Sequence, residues 1–200
     1  MFIQVIDGKT SDKAGLARQN ERWQTELAPG AEGYLGLTGG VADDGSVILL
    51  ARFESEQAAR ANSARPEQGS WWNETAKYFD GDVTFRDCAE VDVEQIGDLD
   101  SAGFVQVMQG TSSDKARVRQ LGPQLTAEIA ELRPDVLGTV IAWDGDHFTQ
   151  VVYFRSEAEA RQGETKMDQA PAKLREVMEL ARADRYIDLR DPWIRSASNS

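Results

Sequence analysis

The pattern of apolar and polar positions in the first half of the chain returns in the second half. Residues 2–14 read FIQVIDGKTSDKA and residues 104–116 read FVQVMQGTSSDKA, so that eight of the thirteen positions are identical. Further on, residues 53–60 (FESEQAAR) match residues 154–161 (FRSEAEAR) in the same order. A repeat of this kind indicates two copies of one supersecondary unit in a single chain.

The first part of each copy predicts a strand followed by a helix. The opening segments carry apolar residues on both faces of the period-two pattern, which favours a strand that is covered on both sides. Ser11 and Asp12 then stand where a helix N-cap is needed, as do Ser113 and Asp114 in the second copy. Their side-chain oxygens can accept hydrogen bonds from the first free backbone N–H groups of a helix.

The second part of each copy predicts a hairpin and another helix. Two β-rich runs are joined by a turn that contains Asp-Gly, a strong hairpin signal. These runs cover residues 34–41 and 47–53 in copy one and residues 136–143 and 148–154 in copy two. Glycines in and beside the first run indicate a bulge or a close backbone approach: Gly33, Gly36, Gly39 and Gly40. Ser55 and Ser156, each followed by glutamate, predict the N-terminus of the second helix.

A last strand closes each predicted unit, near residues 83–91 in copy one and residues 186–189 in copy two. A weak match beside these strands aligns Asp87 with Asp191. The element order is therefore βαββαβ in both copies, which is the order of ferredoxin-like folds.

The repeat sets the predicted domain boundaries. The first ferredoxin-like repeat covers residues 1–93, an acidic linker covers 94–103, the second repeat covers 104–195, and a disordered tail covers 196–200. Each unit would form a four-stranded sheet with two helices on one face, and its other face needs a cover. We expect the sheet of the other copy to provide that cover, which makes the chain an internal pseudo-dimer with further oligomerisation left open.

Composition and charge narrow the functional classes. The chain has 34 acidic and 22 basic residues and a formal net charge of -12, which argues against nucleic acid as a partner because phosphates would be repelled. Cys88 is the only cysteine, so that no intramolecular disulfide can form. The sequence shows neither a signal-peptide pattern at its start nor an apolar run long enough to span a bilayer. We therefore expect a cytoplasmic protein with no membrane partner.

The βαββαβ order, the Ser-Glu-x-x-Ala-x opening of the second helix and a tryptophan downstream of it resemble the antibiotic-biosynthesis-monooxygenase domain of the dimeric α+β barrel superfamily. The resemblance covers nearly the whole chain and is more specific for fold than for reaction. It implies an α+β protein in which two ferredoxin-like βαββαβ repeats form an intramolecular dimeric α+β barrel. Members of the family normally pair two chains sheet to sheet, so that this chain resembles a fused pair.

The resemblance also implies an asparagine and a tryptophan that face a pocket between sheet and helices. In copy one these residue types occur as Asn62, Trp71 and Trp72, with Tyr78 nearby. An amide can hold a phenolate or quinone oxygen, an indole can stack on its ring, and a tyrosine can donate a proton. The candidate catalytic residues are therefore Asn62, Trp72 and Tyr78, and the candidate substrate-binding residues are Trp71 and Asp7.

No metal or other cofactor is expected. Haem-degrading members of the family carry a histidine on the second helix and an asparagine late in the first strand, whereas this chain has no histidine on that helix and Asp7 at the strand position. The only histidine, His147, lies on a predicted hairpin, where an exposed turn residue is the simpler expectation. One histidine and one cysteine provide no transition-metal set of recognised spacing.

Three functions remain open. The first is a small cofactor-independent monooxygenase that oxidises an aromatic or polyketide-like molecule, and the second is a non-catalytic pocket for a small apolar molecule. The third is a structural module that retains only the fold, in which the tryptophan pair serves core packing. The corresponding stretch of copy two has no Trp, Asn or His, so that an active pocket is expected in copy one.

Overall fold

The computed structural model describes residues 1–196, and the chain forms two compact units. Unit 1 comprises Met1–Ala89 together with the segment that begins at Pro192, and unit 2 comprises Glu90–Asp191. Each unit contains one five-stranded sheet in which every neighbouring pair of strands is antiparallel. The predicted α+β class with two ferredoxin-like repeats is confirmed.

Unit 1 has the elements predicted for copy one and one strand more. Its strands are β1 (Phe2–Lys9), β2 (Tyr34–Val41), β3 (Ser46–Phe53), β4 (Thr84–Cys88) and β10 (Trp193–Ser196). Its helices are α1 (Lys13–Arg22), which continues into the π-helical turn Trp23–Leu27, α2 (Glu56–Ser63) and α3 (Pro66–Thr75). The strand order is β10-β2-β3-β1-β4, the ferredoxin-like order with β10 added at the β2 edge.

Unit 2 repeats this plan. Its strands are β5 (Glu90–Gln95), β6 (Phe104–Ser112), β7 (Val136–Asp144), β8 (His147–Phe154) and β9 (Ala181–Leu189). Its helices are α4 (Lys115–Leu132), α5 (Glu157–Glu164) and α6 (Ala172–Leu180). The strand order is β5-β7-β8-β6-β9, so that β5 occupies the edge that β10 occupies in unit 1.

The predicted local signals form as expected. In each Ser-Asp pair the aspartate is the N-cap: a side-chain oxygen of Asp12 accepts from the Gly15 backbone N–H at 2.7 Å, and Asp114 accepts in the same way at 2.9 Å. These bonds satisfy donors that have no partner within the helix. The hairpin turns place Gly45 at φ 80° and Gly145 at φ 60°, a region that glycine enters without steric cost.

The fifth strand of each sheet lies outside the predicted domain boundaries. Strand β5 starts two residues after β4 ends and pairs with β7, while β10 follows β9 and pairs with β2. The predicted boundary between residues 93 and 94 therefore cuts through β5, and Ser196, predicted as the start of a disordered tail, ends β10. The rest of that predicted tail, residues 197–200, lies outside the described residues. The prediction failed because it let each copy complete its own sheet, whereas an open edge strand can be paired by any extended segment.

Two corresponding glycines allow these edge strands to approach. Gly36 and Gly138 lie at register shifts in β2 and β7, with φ of 136° and 156°. A Cβ on Gly36 would lie 2.1 Å from the Arg195 carbonyl oxygen, and one on Gly138 would lie 2.6 Å from the Glu94 carbonyl oxygen. The prediction of a bulge or close backbone approach is confirmed at Gly36.

The strand register corrects the weak match between the ends of the copies. The Gln4 side-chain amide donates to Asp87 at 3.0 Å, and the Gln106 amide donates to Asp188 at 2.9 Å. Gln4 and Gln106 are matched residues of the repeat, so that Asp87 corresponds to Asp188 and not to Asp191. The alignment with Asp191 was wrong because Asp191 lies beyond the end of β9 at Leu189, whereas Asp87 lies inside β4.

Candidate ligand-binding site

Unit 1 encloses a cavity between one face of its sheet and its helices. Side chains two residues apart on a strand share a face, so that Gln4 and Ile6 of β1 point to the same side as their cross-strand partners Ala51 and Leu49 of β3. Residues of α1, α2 and α3 close the other side. The cavity has a volume of about 80 Å³.

Aromatic rings form much of the cavity wall. The rings of Trp23 and Tyr34 meet edge to face with centroids 4.7 Å apart, and Trp23 also contacts Trp71 at 6.4 Å. Trp71 in turn lies 6.0 Å from Trp72. Such tilted and edge-to-face contacts are the favoured geometry of aromatic pairs. The predicted tryptophan pair therefore belongs to a larger aromatic cluster that lines the cavity.

Hydrogen bonds hold two of these indoles, whereas a third indole has none. The Trp23 Nε1–H donates to Gln68 at 2.6 Å, and the Trp71 Nε1–H donates to the Gln19 carbonyl oxygen at 3.0 Å. The Trp72 indole is partly exposed, and its Nε1–H donates to no residue within the described 1–196. Trp72 is therefore held by ring contacts alone, with Phe85 at 5.0 Å and Phe79 at 5.9 Å between centroids.

Asn62 brings a buried amide to the cavity. It lies on α2, is only 6% exposed, and lines the cavity. Its Oδ1 accepts a hydrogen bond from Arg65 Nη1 at 2.9 Å, and the same nitrogen donates to the Leu27 carbonyl oxygen at 3.0 Å. This arrangement fixes the amide orientation, while Nδ2 donates to no other residue of the described chain. The Nδ2 donor of this buried residue is therefore available to a ligand in the cavity.

Tyr34 provides the phenol of the cavity, and the sequence analysis missed it. The Gln24 amide donates to the Tyr34 hydroxyl at 3.0 Å. Burial raises the pKa of Tyr34 to about 12, so that the phenol stays protonated near neutral pH. The sequence contained a signal for this position. Tyr34 is the first residue of the predicted hairpin and Phe53 is its last, so that the two residues are cross-strand partners.

Two predicted site residues lie elsewhere. The Tyr78 ring packs against Gly15, where a Cβ would come within 2.2 Å of the ring, and Tyr78 does not line the cavity. Asp7 follows Ile6 on β1, so that its side chain points to the opposite sheet face, where it forms an ion pair with Arg86 at 3.5 Å. Strand alternation therefore separates Asp7 from Asn62, Trp71 and Trp72, which the structure does bring together.

Unit 2 also contains a cavity at the corresponding place, and its volume is about 350 Å³. Leu125 stands eleven residues after the N-cap aspartate, where unit 1 has Trp23. At the α5 position equivalent to Asn62, unit 2 has Gly163, which lies against the buried ion pair of Arg133 and Asp135. A pocket is therefore not confined to copy one, although the amide and the indoles are.

The structure shows no metal-binding cluster and no membrane-spanning helix among the described residues. No group of three His, Cys, Asp or Glu side chains is placed to hold a metal ion within residues 1–196. His147 is exposed at the first position of β8, beside the hairpin turn. Across the same range, no helix has the length and the hydropathy needed to cross a bilayer.

Comparison with known proteins gives structural matches only. No protein-family model matches the chain, and no curated protein does. A candidate monooxygenase from Lactobacillus acidophilus NCFM matches with a TM-score of 0.70 at 10% identity, over 98% of this chain and 99% of that chain. One from Fusobacterium nucleatum has a TM-score of 0.68 at 8% identity, over 98% and 95%. An anthrone oxidase-like protein has a TM-score of 0.63 at 13% identity, over 98% and 93%.

Identities this low establish the fold alone. The chain has the fold of these monooxygenase-like proteins, and the predicted resemblance to the antibiotic-biosynthesis-monooxygenase group is confirmed at that level. The matches extend over nearly the whole chain and therefore include both repeats, in agreement with a tandem duplication.

Proposed function

We propose that the unit 1 cavity binds a small aromatic molecule and that the protein oxidises it as a cofactor-independent monooxygenase. The observation that carries the proposal is Asn62, a buried amide with an unused Nδ2 donor in an aromatic cavity. A ligand oxygen that accepts from this donor would form its hydrogen bond between apolar walls, where such a bond is stronger than in water. The monooxygenase-like fold agrees with this function without proving it.

The size of the cavity requires one wall to move. Its 80 Å³ is below the range of about 300–1,000 Å³ that is typical of ligand pockets. Trp72 is one wall residue that can move, because it is partly exposed and has no hydrogen bond from its indole, so that only ring contacts such as those with Phe79 and Phe85 would be lost. Displacement of that ring opens the cavity beside Asn62, and the indole can then stack on the bound ring.

The chemistry follows from the available groups. A methylene between two aromatic rings that also share a ketone loses a proton to solvent, which gives an anion whose charge lies on the former ketone oxygen. Asn62 Nδ2 donates a hydrogen bond to that oxygen and stabilises the anion, and the neutral Tyr34 phenol takes the donor role predicted for Tyr78. The anion reduces O2: one oxygen atom enters the product as a carbonyl, and the other leaves as water with the two methylene hydrogens. Four electrons pass from the carbon to O2.

The test compares two asparagines of unit 1. Asn62→Leu keeps the volume and removes the donor, whereas Asn73→Leu changes an exposed residue of α3. A panel of phenolic ring compounds is titrated against each variant by tryptophan fluorescence, and O2 consumption is recorded. We expect Asn62→Leu to weaken binding about tenfold and to abolish O2 consumption, since one hydrogen bond to a charged oxygen is lost. Full activity in Asn62→Leu would overturn the proposal.

The second candidate function is binding without catalysis. The partly exposed Trp72 favours it, because a movable indole over an aromatic cavity is sufficient to capture a ring. In that case Trp72→Ala abolishes binding, Asn62→Leu retains it, and no phenolic compound consumes O2. These three results together separate a binding module from an oxidase.

A further inference from the structure

The cavity of unit 2 has an aliphatic lining. Its walls include Val118 and Leu125 of α4, Ile141 of β7 and Val177 of α6, and no aromatic ring of the described chain lines it. The volume of 350 Å³ falls within the range of about 300–1,000 Å³ that is usual for ligand pockets. A flexible saturated chain fits such walls, whereas a flat ring would find no partner for stacking.

A polar pair lies on the sheet floor of this cavity. The Gln150 side-chain Nε2 donates to Thr139 Oγ1 at 3.1 Å. The Gln150 carbonyl oxygen and the Thr139 O–H have no further partner within residues 1–196, and both side chains are half-buried. The matching positions of unit 1, set by the shared register of the hairpin, are Leu49 and Leu37. One acceptor and one donor are thus presented together inside aliphatic walls.

The charges around the cavity exclude an anionic ligand. Arg119 is engaged by Asp92 and Glu90, so that it offers no free cation to a carboxylate. The half-buried Glu94 accepts a hydrogen bond from the Thr126 hydroxyl at 2.6 Å and also lines the cavity. Its negative charge repels anions and leaves neutral molecules as the suitable class.

A glycine keeps the cavity open. Gly122 lies inside α4, where glycine weakens a helix relative to alanine. Apart from its chain neighbours, a Cβ at this position would meet only Glu94 Oε1, at 3.8 Å. The space above Gly122 is therefore free for a ligand, and a larger side chain there can fill it.

We propose that the unit 2 cavity binds a neutral aliphatic alcohol. The alkyl chain lies among the valine and leucine side chains, and the hydroxyl group of the alcohol bridges the polar pair. This hydroxyl donates to the side-chain Oε1 of Gln150 and accepts from the Thr139 O–H. The site uses residues of unit 2 alone and does not depend on the function proposed for unit 1.

The test titrates 1-octanol into the 15N-labelled protein and follows the Gln150 side-chain amide by NMR. A saturable shift of that resonance is expected in the wild type. Gln150→Leu and Thr139→Val each introduce an apolar residue of similar size and are expected to weaken binding about tenfold. In these variants, binding is measured from the backbone resonances of β7 and β8. Gly122→Leu fills the cavity from a helix position that has room for it, and is expected to abolish binding in a folded protein.

Two controls separate this site from other sources of binding. Octanoate carries the same chain with a negative charge and is expected to bind at least about tenfold more weakly than octanol, because it faces Glu94 without a free cation. Asn62→Ala, in the other cavity, is expected to leave octanol binding unchanged. No saturable shift in the wild type, undiminished binding in folded Gly122→Leu, or equal affinity for octanoate would each overturn the proposal.

Discussion

The two cavities occupy corresponding places in the repeats and have opposite linings. In unit 1 the walls are indole and phenol rings, and the polar group with an unused donor, Nδ2, is the Asn62 amide on a helix. In unit 2 the walls are aliphatic, and the polar pair of Gln150 and Thr139 lies on the sheet. The unit 2 cavity is also larger, about 350 Å³ against about 80 Å³. The difference teaches that strand register and caps maintain the fold in both copies while the cavity walls diverge.

The largest expected effect concerns the ion pair that unit 2 places beside Gly163. Asp135→Ala leaves the Arg133 guanidinium buried without its partner, since the two side chains are only 9% and 7% exposed. We expect a loss of about 3–5 kcal/mol in the free energy of unfolding, measured by urea denaturation. Glu26→Ala, which breaks the exposed pair with Arg22, is the control and should cost at most about 1 kcal/mol. Equal losses would show that the Arg133 site is hydrated.

A reciprocal exchange tests whether the rings account for the difference in volume. Trp23→Leu gives unit 1 the residue that unit 2 has at Leu125, and should cost about 2–4 kcal/mol because it leaves a void in a packed cluster. The reverse change, Leu125→Trp, adjoins the 350 Å³ cavity, where the ring finds space. It should cost about 1 kcal/mol or less by the same urea assay, below the usual cost of overpacking. Similar costs for both changes would contradict the comparison.

The alkaline limb of the stability profile should include a contribution from Tyr34 of unit 1, which has no counterpart at the matching position of unit 2, Val136. The folded pKa of Tyr34 is about 12 against 10.0 for the free group. A raised pKa gives stability that is fully present below pH 10 and is lost as the pH rises through 12, by about 2–3 kcal/mol in total.

Tyr34→Phe removes the ionisable group and should flatten that limb. The measurement is urea denaturation of both proteins at several pH values from 9 upward, and the quantity of interest is the difference between them. A difference that stays constant over this range would mean that the phenol ionises as easily in the folded chain as in the unfolded one.

The smallest expected effect is a gain. Gly122→Ala replaces a glycine inside α4 where, apart from its chain neighbours, the new Cβ meets only Glu94 at 3.8 Å; because it also crowds the Cδ of Pro123, the free energy of unfolding should rise by less than about 1 kcal/mol. Gly15→Ala in α1 is the matched control. Its Cβ would fall 2.2 Å from the Tyr78 ring, so that the same substitution should destabilise the protein. Thermal unfolding distinguishes the two signs, and a loss at Gly122 would show that crowding against Pro123 outweighs the gain in helix propensity.

Local signals made most of the fold predictable from the sequence. Asp12 and Ser55 cap helices through bonds to backbone N–H groups within three residues, and the Asp-Gly turns fix the hairpins. The edge strands were not predictable in the same way, because the pairing of β10 with β2 joins segments far apart in the chain. Gly36 carried a local trace of it, as one of several glycines in and beside the run that forms β2.

The candidate site was predicted in part, for reasons that particular residues show. Asn62, Trp71 and Trp72 lie close together in sequence on α2 and α3, so that a single stretch brought them to one cavity. Asp7 could have been excluded by the period of two, since it alternates with Ile6. Tyr34 lies on β2, far from these helices in sequence, and only the folded sheet places it in the cavity.

Because β10 follows unit 2 in the chain but pairs with β2 of unit 1, the two sheets are completed in a fixed order during synthesis. All residues of unit 2 lie in one uninterrupted segment, Glu90–Asp191, whereas the sheet of unit 1 needs Trp193–Ser196 for its β2 edge. A ribosome therefore releases everything that unit 2 requires before it releases the last strand of the unit that it began. Until then the backbone of β2 presents unpaired N–H and C=O groups, the kind of edge that recruits other chains. The half of the protein that is made first is the half that is finished last.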